Sequence, residues 1–180
     1  MSGWLLVFMI QTILAAKRDY RWHRVLGEIS VVLGILVFIS MGIVTFHALL
    51  GFPPNLDNLS WDILLLQMCA MILFGLLFAF GILLRKNAAA HKRLLLVATL
   101  VLLQAGIGRI QWLPPLAIGN PSFSGIPNPA MIFLYLDILL IPLFIYDCVV
   151  LKRIHKTTII AALSLTGVQF IIVMLWSHLV

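Results

Sequence analysis

Residues 84–112, LRKNAAAHKRLLLVATLVLLQAGIGRIQW, decide the fold. Cations lie on both sides of His91 at the start of this stretch, and a long apolar run follows before Arg109 and Trp112. A helix needs about 20 apolar residues to cross the hydrocarbon core of a bilayer, and cations mark its cytoplasmic end. The stretch therefore predicts a transmembrane helix that starts in the cytoplasm.

The arrangement of a basic, histidine-bearing segment before an apolar run occurs three times. Residues 17–24 contain His23, residues 84–93 contain His91, and residues 152–156 contain His155. Apolar runs flank each of these segments. The chain therefore predicts three helical hairpins, each turning at a basic loop.

Composition places these helices in lipid. Of the 180 residues, 63% are hydrophobic and only 10% are charged, whereas a soluble domain carries about 25% charged residues. The net charge of +6 does not indicate nucleic acid, because nearly all of the Lys and Arg lie in the three short loops. We therefore predict that these loops are cytoplasmic and that both termini lie on the other side of the membrane.

The sequence thus predicts an all-α fold, a single membrane domain of six transmembrane helices covering residues 1–180. The first apolar run is short, and cations follow it rather than precede it. We therefore expect a retained helix and not a cleaved signal peptide. The predicted helices cover residues 3–16, 25–50, 61–84, 92–112, 130–151 and 157–179.

Ionisable residues inside the apolar runs are the candidate sites. Arg109 and Asp137 lie at matching depths in the outer half of helices 4 and 5, where a lone charge is expensive. An ion pair that locks the two helices is one interpretation, and a ligand, quinone or proton site is the other. Asp147 lies about one turn inside the cytoplasmic boundary, and we expect it to pair with a cation of the basic loops or to take part in a proton relay.

The histidines indicate haem as an alternative. Bis-histidine ligation needs two imidazoles at one depth on facing helices, and His23, His91 and His155 share the cytoplasmic depth. These histidines lie among cations, which is also typical of segments that anchor topology or bind anionic headgroups. The cations predicted to contact lipid headgroups are Arg24, Arg85, Lys86, Lys92, Arg93, Lys152 and Arg153.

Several segments together resemble a known family. They are residues 4–30, the run HKRLLLVATLVLLQAGIGRIQWLP at residues 91–114, and residues 137–147. This set resembles an uncharacterised family of polytopic bacterial inner-membrane proteins with an HKRL-x-LLAT-type helix, and it has a distant likeness to small b-type cytochrome bundles. The resemblance implies a location in the bacterial inner membrane but no activity. The matching residues are His23, Arg24, Leu26, Gly27, His91, Lys92, Arg93, Leu94 and Arg109.

The function expected from these observations is non-enzymatic. The polar loops are short, and the sequence has no nucleophile elbow, phosphate loop or zinc spacing. We therefore predict no catalytic residue and no metal site. The favoured role is an accessory or scaffolding subunit of a respiratory or photosynthetic membrane complex, with lipids and other membrane subunits as partners. A b-type haem redox protein is the alternative, and a small-molecule transporter is the third.

Overall fold

The computed structural model describes residues 2–51, 58–107 and 129–178, and the regular structure in these ranges is entirely helical. Five of the helices are long and apolar enough to cross a membrane, while the first has only 15 residues. The prediction of an all-α membrane bundle is confirmed. The helices are α1 (Ser2–Ala16), α2 (Tyr20–Gly51), α3 (Asn58–Leu83), α4 (Ala88–Ile107), α5 (Pro129–Val150) and α6 (Lys156–His178).

The chain divides into two compact units. The first, Met1–Asn55, contains α1 and α2 and is called here the hairpin unit. The second, Leu56–Val180, contains α3 to α6 and is called the four-helix unit. Whether residues 1–180 work as a single domain stays a prediction.

The turn of the hairpin unit is built by Arg18 and Asp19. Arg18 has a φ of 58°, the left-handed conformation that ends many helices. Its N–H donates to Ala15 O over 3.1 Å, and Asp19 N–H donates to Leu14 O over 3.0 Å. Asp19 then caps the next helix, because its Oδ1 accepts from Trp22 N–H over 3.3 Å. One short turn thus ends α1 and begins α2.

A polar contact joins the two helices of the hairpin unit. Gln11 Nε2 donates to Ser30 Oγ over 3.3 Å, and Ser30 Oγ donates to Leu26 O over 2.6 Å. Gly27 faces Gln11 across this contact, and a Cβ added at Gly27 would stand 3.7 Å from Gln11 Nε2, an ordinary van der Waals distance. Small residues such as glycine are common where helices meet in lipid.

The four-helix unit is centred on α4. This helix contacts α3, α5 and α6, and more than half of its most apolar window is buried, against about a third for each neighbour. Asn87 starts it, since Asn87 Oδ1 accepts from Ala90 N–H over 3.2 Å. Ala and Leu, both strong helix formers, make up most of its first half.

Two helices begin four or more residues earlier than predicted. α2 begins at Tyr20 rather than residue 25, and α4 begins at Ala88 rather than residue 92. Asp19 and Asn87 explain the difference, because each supplies a capping oxygen just before the basic residues. Arg21 and Arg24 therefore lie at the start of α2, and Lys92 and Arg93 lie near the start of α4, whereas Arg85 and Lys86 stay in the loop. The predicted end of helix 4 at residue 112 lies outside the described residues.

Candidate functional site

A buried ion pair joins α4 to α5 in the four-helix unit. Arg93 lies in the second turn of α4, and Asp147 lies in the last turn of α5. Arg93 Nη2 donates to Asp147 Oδ1, and the two side chains are only 1% and 0% exposed. This contact places the α3–α4 and α5–α6 loops at one end of the unit, called here the basic end. The expectation that Asp147 pairs with a cation of the basic loops is confirmed.

Thr158 brings α6 into the same contact. Its side chain is completely buried. Its hydroxyl donates to Asp147 Oδ2 over 2.5 Å and accepts from Arg93 Nε over 2.9 Å. His155 N–H adds a second donor to Asp147 Oδ2 over 3.0 Å. Arg93 also donates from Nη1 to Ala89 O over 2.8 Å. We call Arg93, Asp147 and Thr158 the three-helix lock.

The three-helix lock leaves little of either charge unsatisfied. Both carboxylate oxygens of Asp147 accept hydrogen bonds, and each nitrogen of the Arg93 guanidinium donates one. A guanidinium keeps its proton under all ordinary conditions, so burial requires acceptors of this kind. These contacts tie the second turn of α4 to the last turn of α5 and the first turn of α6.

The seven cations predicted to contact lipid headgroups differ in how exposed they are. Arg93 is one of the seven, but the structure places it in the interior with its guanidinium on Asp147. The other six are exposed. Among them, Lys92 Nζ lies 3.2 Å from Tyr146 Oη and 4.7 Å from the centre of its ring. Lys92 therefore covers an aromatic side chain on α5 while its charge stays accessible.

His91 is held against the neighbouring helix α3. Its Nδ1 lies 2.7 Å from Gly81 O, and because a carbonyl only accepts, His91 Nδ1 carries the proton. In the neutral ring, His91 Nε2 is therefore the nitrogen with the lone pair. Gly81 also allows α4 to lie close to α3, since a Cβ at Gly81 would stand 2.9 Å from Leu95 Cδ2.

The other two candidate haem ligands differ from His91. His155 Nδ1 accepts from Thr157 N–H over 3.2 Å, so a neutral His155 carries its proton on Nε2 and cannot offer that atom to a metal. His23 belongs to the hairpin unit, and its buried Nδ1 has no hydrogen-bond partner among the described residues. No group of three or more His, Cys, Asp or Glu that could hold a metal ion occurs within residues 2–51, 58–107 and 129–178.

Only one member of the predicted Arg109–Asp137 pair is among the residues that the structure describes. Arg109 lies outside the described residues. Asp137 is half-buried on α5 and lines a groove of about 270 Å³ between α5 and α6, next to Gln169. In the part of the chain that the structure describes, Asp137 Oδ1 and Gln169 Nε2 are buried without hydrogen-bond partners.

The fold and this polar interior define a polytopic helical membrane protein. No family model, curated protein or solved structure matches the chain. The resemblance to bacterial inner-membrane proteins stays a prediction, and the chemistry of the residues alone supports the proposals that follow.

Proposed function

We propose that the protein is a non-enzymatic accessory subunit of a larger complex in the bacterial inner membrane. The observation that carries this proposal is the hairpin unit. Helix α2 has 32 residues, whereas α1, its one partner helix within that unit, has 15. At 1.5 Å per residue, α1 is about 22 Å long and α2 about 48 Å. Much of α2 is therefore free of a partner helix within its own unit.

The exposed surface of α2 supports this role. Its buried residues are Gly34, Val37 and Thr45, and most of its other large apolar side chains are exposed. A transmembrane helix that exposes apolar residues along its whole length suits contact with lipid or with another membrane subunit. The exposed residues include Val25, Ile29, Val32, Ile35, Leu36, Phe38, Ile39, Ile43, Val44, Phe46, Leu49 and Leu50.

The proposal is tested by photo-cross-linking in cells. A photoreactive amino acid replaces Leu36 on α2, and in a matched variant it replaces Ile160, an exposed residue on α6. We expect one discrete adduct from the Leu36 position, and gentle detergent isolation followed by native mass spectrometry should give a complex of fixed stoichiometry. Isolation of the chain alone, with lipid as its only adduct at both positions, contradicts the proposal.

Anionic lipid headgroups are the second class of partner in this proposal. Six of the candidate cations are exposed, and short basic loops of this kind lie on the cytoplasmic side and attract anionic headgroups. Removing Arg85 and Lys86 together is expected to reduce the number of anionic lipids that remain bound in native mass spectrometry. Unchanged lipid retention contradicts this part of the proposal.

Haem binding through His91 is the second candidate function. Metal-binding imidazoles usually donate their other ring N–H to a carbonyl or carboxylate, and His91 Nδ1 makes such a contact with Gly81 O. Protein purified from haem-supplied cells is examined by visible spectroscopy. A Soret band that is lost in His91→Ala but kept in His155→Ala supports this function, and no band in the parent protein eliminates it.

A further inference from the structure

The groove between α5 and α6 contains two polar atoms that the fold leaves unsatisfied. Gln169 is only 5% exposed, yet its Nε2 has no acceptor among the described residues. Asp137 Oδ1 likewise has no hydrogen-bond donor there, and both side chains line the same groove. A buried polar group without a partner is unfavourable, so a ligand that satisfies both atoms gains free energy on binding.

The groove lies in the half of the span away from the basic end. Asp137 precedes the last residue of α5, Val150, by the same number of residues as Gln169 follows Lys156, the first residue of α6. Both side chains are therefore about 20 Å from the basic end. A molecule dissolved in the bilayer reaches this depth from the lipid side.

The walls of the groove are apolar and partly aromatic. Phe133 on α5 is a buried residue of the groove wall, whereas Phe170 on α6 is an exposed one. Thr166 also lines the groove, but its hydroxyl donates to Ala162 O over 3.1 Å. The volume of about 270 Å³ exceeds the ~30 Å³ share of one water molecule several-fold. Water alone satisfies the polar atoms but leaves the aromatic walls uncovered.

We infer that this groove binds the hydroxyl head of a membrane-soluble phenol or hydroquinone. One hydroxyl group supplies both missing partners, since it accepts from Gln169 Nε2 and donates to Asp137 Oδ1. The attached ring packs against Phe133 and Phe170, because aromatic pairs add to the free energy of apolar burial. The hydrocarbon tail of the ligand extends past Phe170 into lipid.

The test uses two compounds that differ by one hydroxyl group, 4-nonylphenol and nonylbenzene. Protein in lipid nanodiscs is photolabelled with a diazirine-bearing alkylphenol, and the labelled peptides are mapped by mass spectrometry. We expect labelling on α5 and α6, and displacement by nonylphenol at a concentration about tenfold lower than nonylbenzene requires, a ratio equivalent to about 1.4 kcal/mol. Equal displacement by the two compounds, or labelling elsewhere, overturns the proposal.

Variants then assign the contacts. Gln169→Leu and Asp137→Leu are each expected to raise the displacing concentration of nonylphenol about tenfold, while Asp137→Asn, which keeps an acceptor, leaves it near the parent value. Ser164→Ala is the matched control on α6, because Ser164 Oγ donates to Ala161 O and is outside the groove lining. If both leucine variants bind nonylphenol as the parent does, the groove is not the site. If neither folds, the comparison of the two compounds in the parent protein still decides.

Discussion

Arg93 on α4 and Asp147 on α5 face each other in the buried interior of the four-helix unit, 54 positions apart in sequence. Losing one member of such a pair leaves an uncompensated buried charge, whereas losing both does not. This asymmetry allows the contact to be tested without knowledge of the function.

Arg93→Leu and Asp147→Leu should each lower the free energy of unfolding by about 3–5 kcal/mol, and the double variant should lose much less than the sum. Thermal melts in detergent measure the three values. Arg85→Leu is the control, since Arg85 is exposed, and a surface change of this kind shifts stability by only about 0.5 kcal/mol. Simple additivity of the two single changes contradicts the ion pair.

Thr158→Ala removes a hydroxyl that serves both charges of the three-helix lock. Arg93 Nε and Asp147 Oδ2 each lose one hydrogen bond, so we expect a loss of about 1–3 kcal/mol. Thr158→Ser keeps the hydroxyl and should recover most of that stability in the same melts. Thr158→Val keeps the shape without the hydroxyl, and its stability should match Thr158→Ala. A Thr158→Val variant as stable as the parent would show that the hydroxyl contributes nothing.

Gly81→Ala tests the contact of α3 with α4. The new methyl group would stand 2.9 Å from Leu95 Cδ2 and 3.1 Å from Leu95 Cγ, so we expect destabilisation by about 1–3 kcal/mol. Gly167→Ala on α6 is the matched control, because nothing lies within 4 Å of its added Cβ. This control should be neutral or stabilising by up to about 1 kcal/mol, the difference in helix propensity. Equal effects of the two changes would contradict the close contact.

The two histidines of the basic end should hold opposite tautomers. The contact with Gly81 O puts the His91 proton on Nδ1, and the contact with Thr157 N–H puts the His155 proton on Nε2. Nitrogen chemical shifts of ¹⁵N-histidine-labelled protein above the pH at which imidazoles are charged distinguish the two forms. His91→Ala and His155→Ala assign the signals. Identical tautomers at the two sites would contradict these contacts.

The orientation of the chain is tested by reporter fusion. Loops on the cytoplasmic side carry the excess of Lys and Arg, so a reporter attached after Val180 should be active only outside the cytoplasm. The same reporter inserted after Lys86, in the basic α3–α4 loop, serves as the opposite control. Cytoplasmic activity of the Val180 fusion would reverse the proposed orientation.

Hydropathy predicted the helices well because cations or turn residues bound each apolar run. The first residues of α2 and α4 are harder to predict from the sequence, because a cation beside a membrane boundary is compatible with either a loop or a first helical turn. Asp19 and Asn87 carried the missing signal, since both are good N-cap residues placed just before the observed starts.

The partner of Asp147 could be predicted as a loop cation, but its identity could not. Helix α4 is apolar on nearly every side, so periodicity does not tell which face turns toward α5. The sequence consequently predicts Arg93 as a headgroup ligand like its neighbour Lys92. In the structure, the Lys92 side chain is exposed and the Arg93 side chain is buried. Thr158 gave no signal of its own, because a threonine in a first helical turn usually serves as a cap or faces solvent. Arg93 and Asp147 each lie about one turn from the end of their helix at the basic end. This similar depth is the sequence feature from which their pairing could be predicted.

The order of the three-helix lock along the chain has a consequence for membrane insertion. Arg93 precedes Asp147 by 54 residues and Thr158 by 65, so the ribosome completes α4 before either acceptor exists. Until then the guanidinium reaches polar surroundings only by extending toward the basic end, as long cationic side chains do near helix termini. We therefore expect α4 to reach its final depth only after α5 and the first turn of α6 are in place. A nascent chain that stops before Thr158 lacks the acceptor for Arg93 Nε, so we expect its α4 to lie closer to the basic end than in the finished chain.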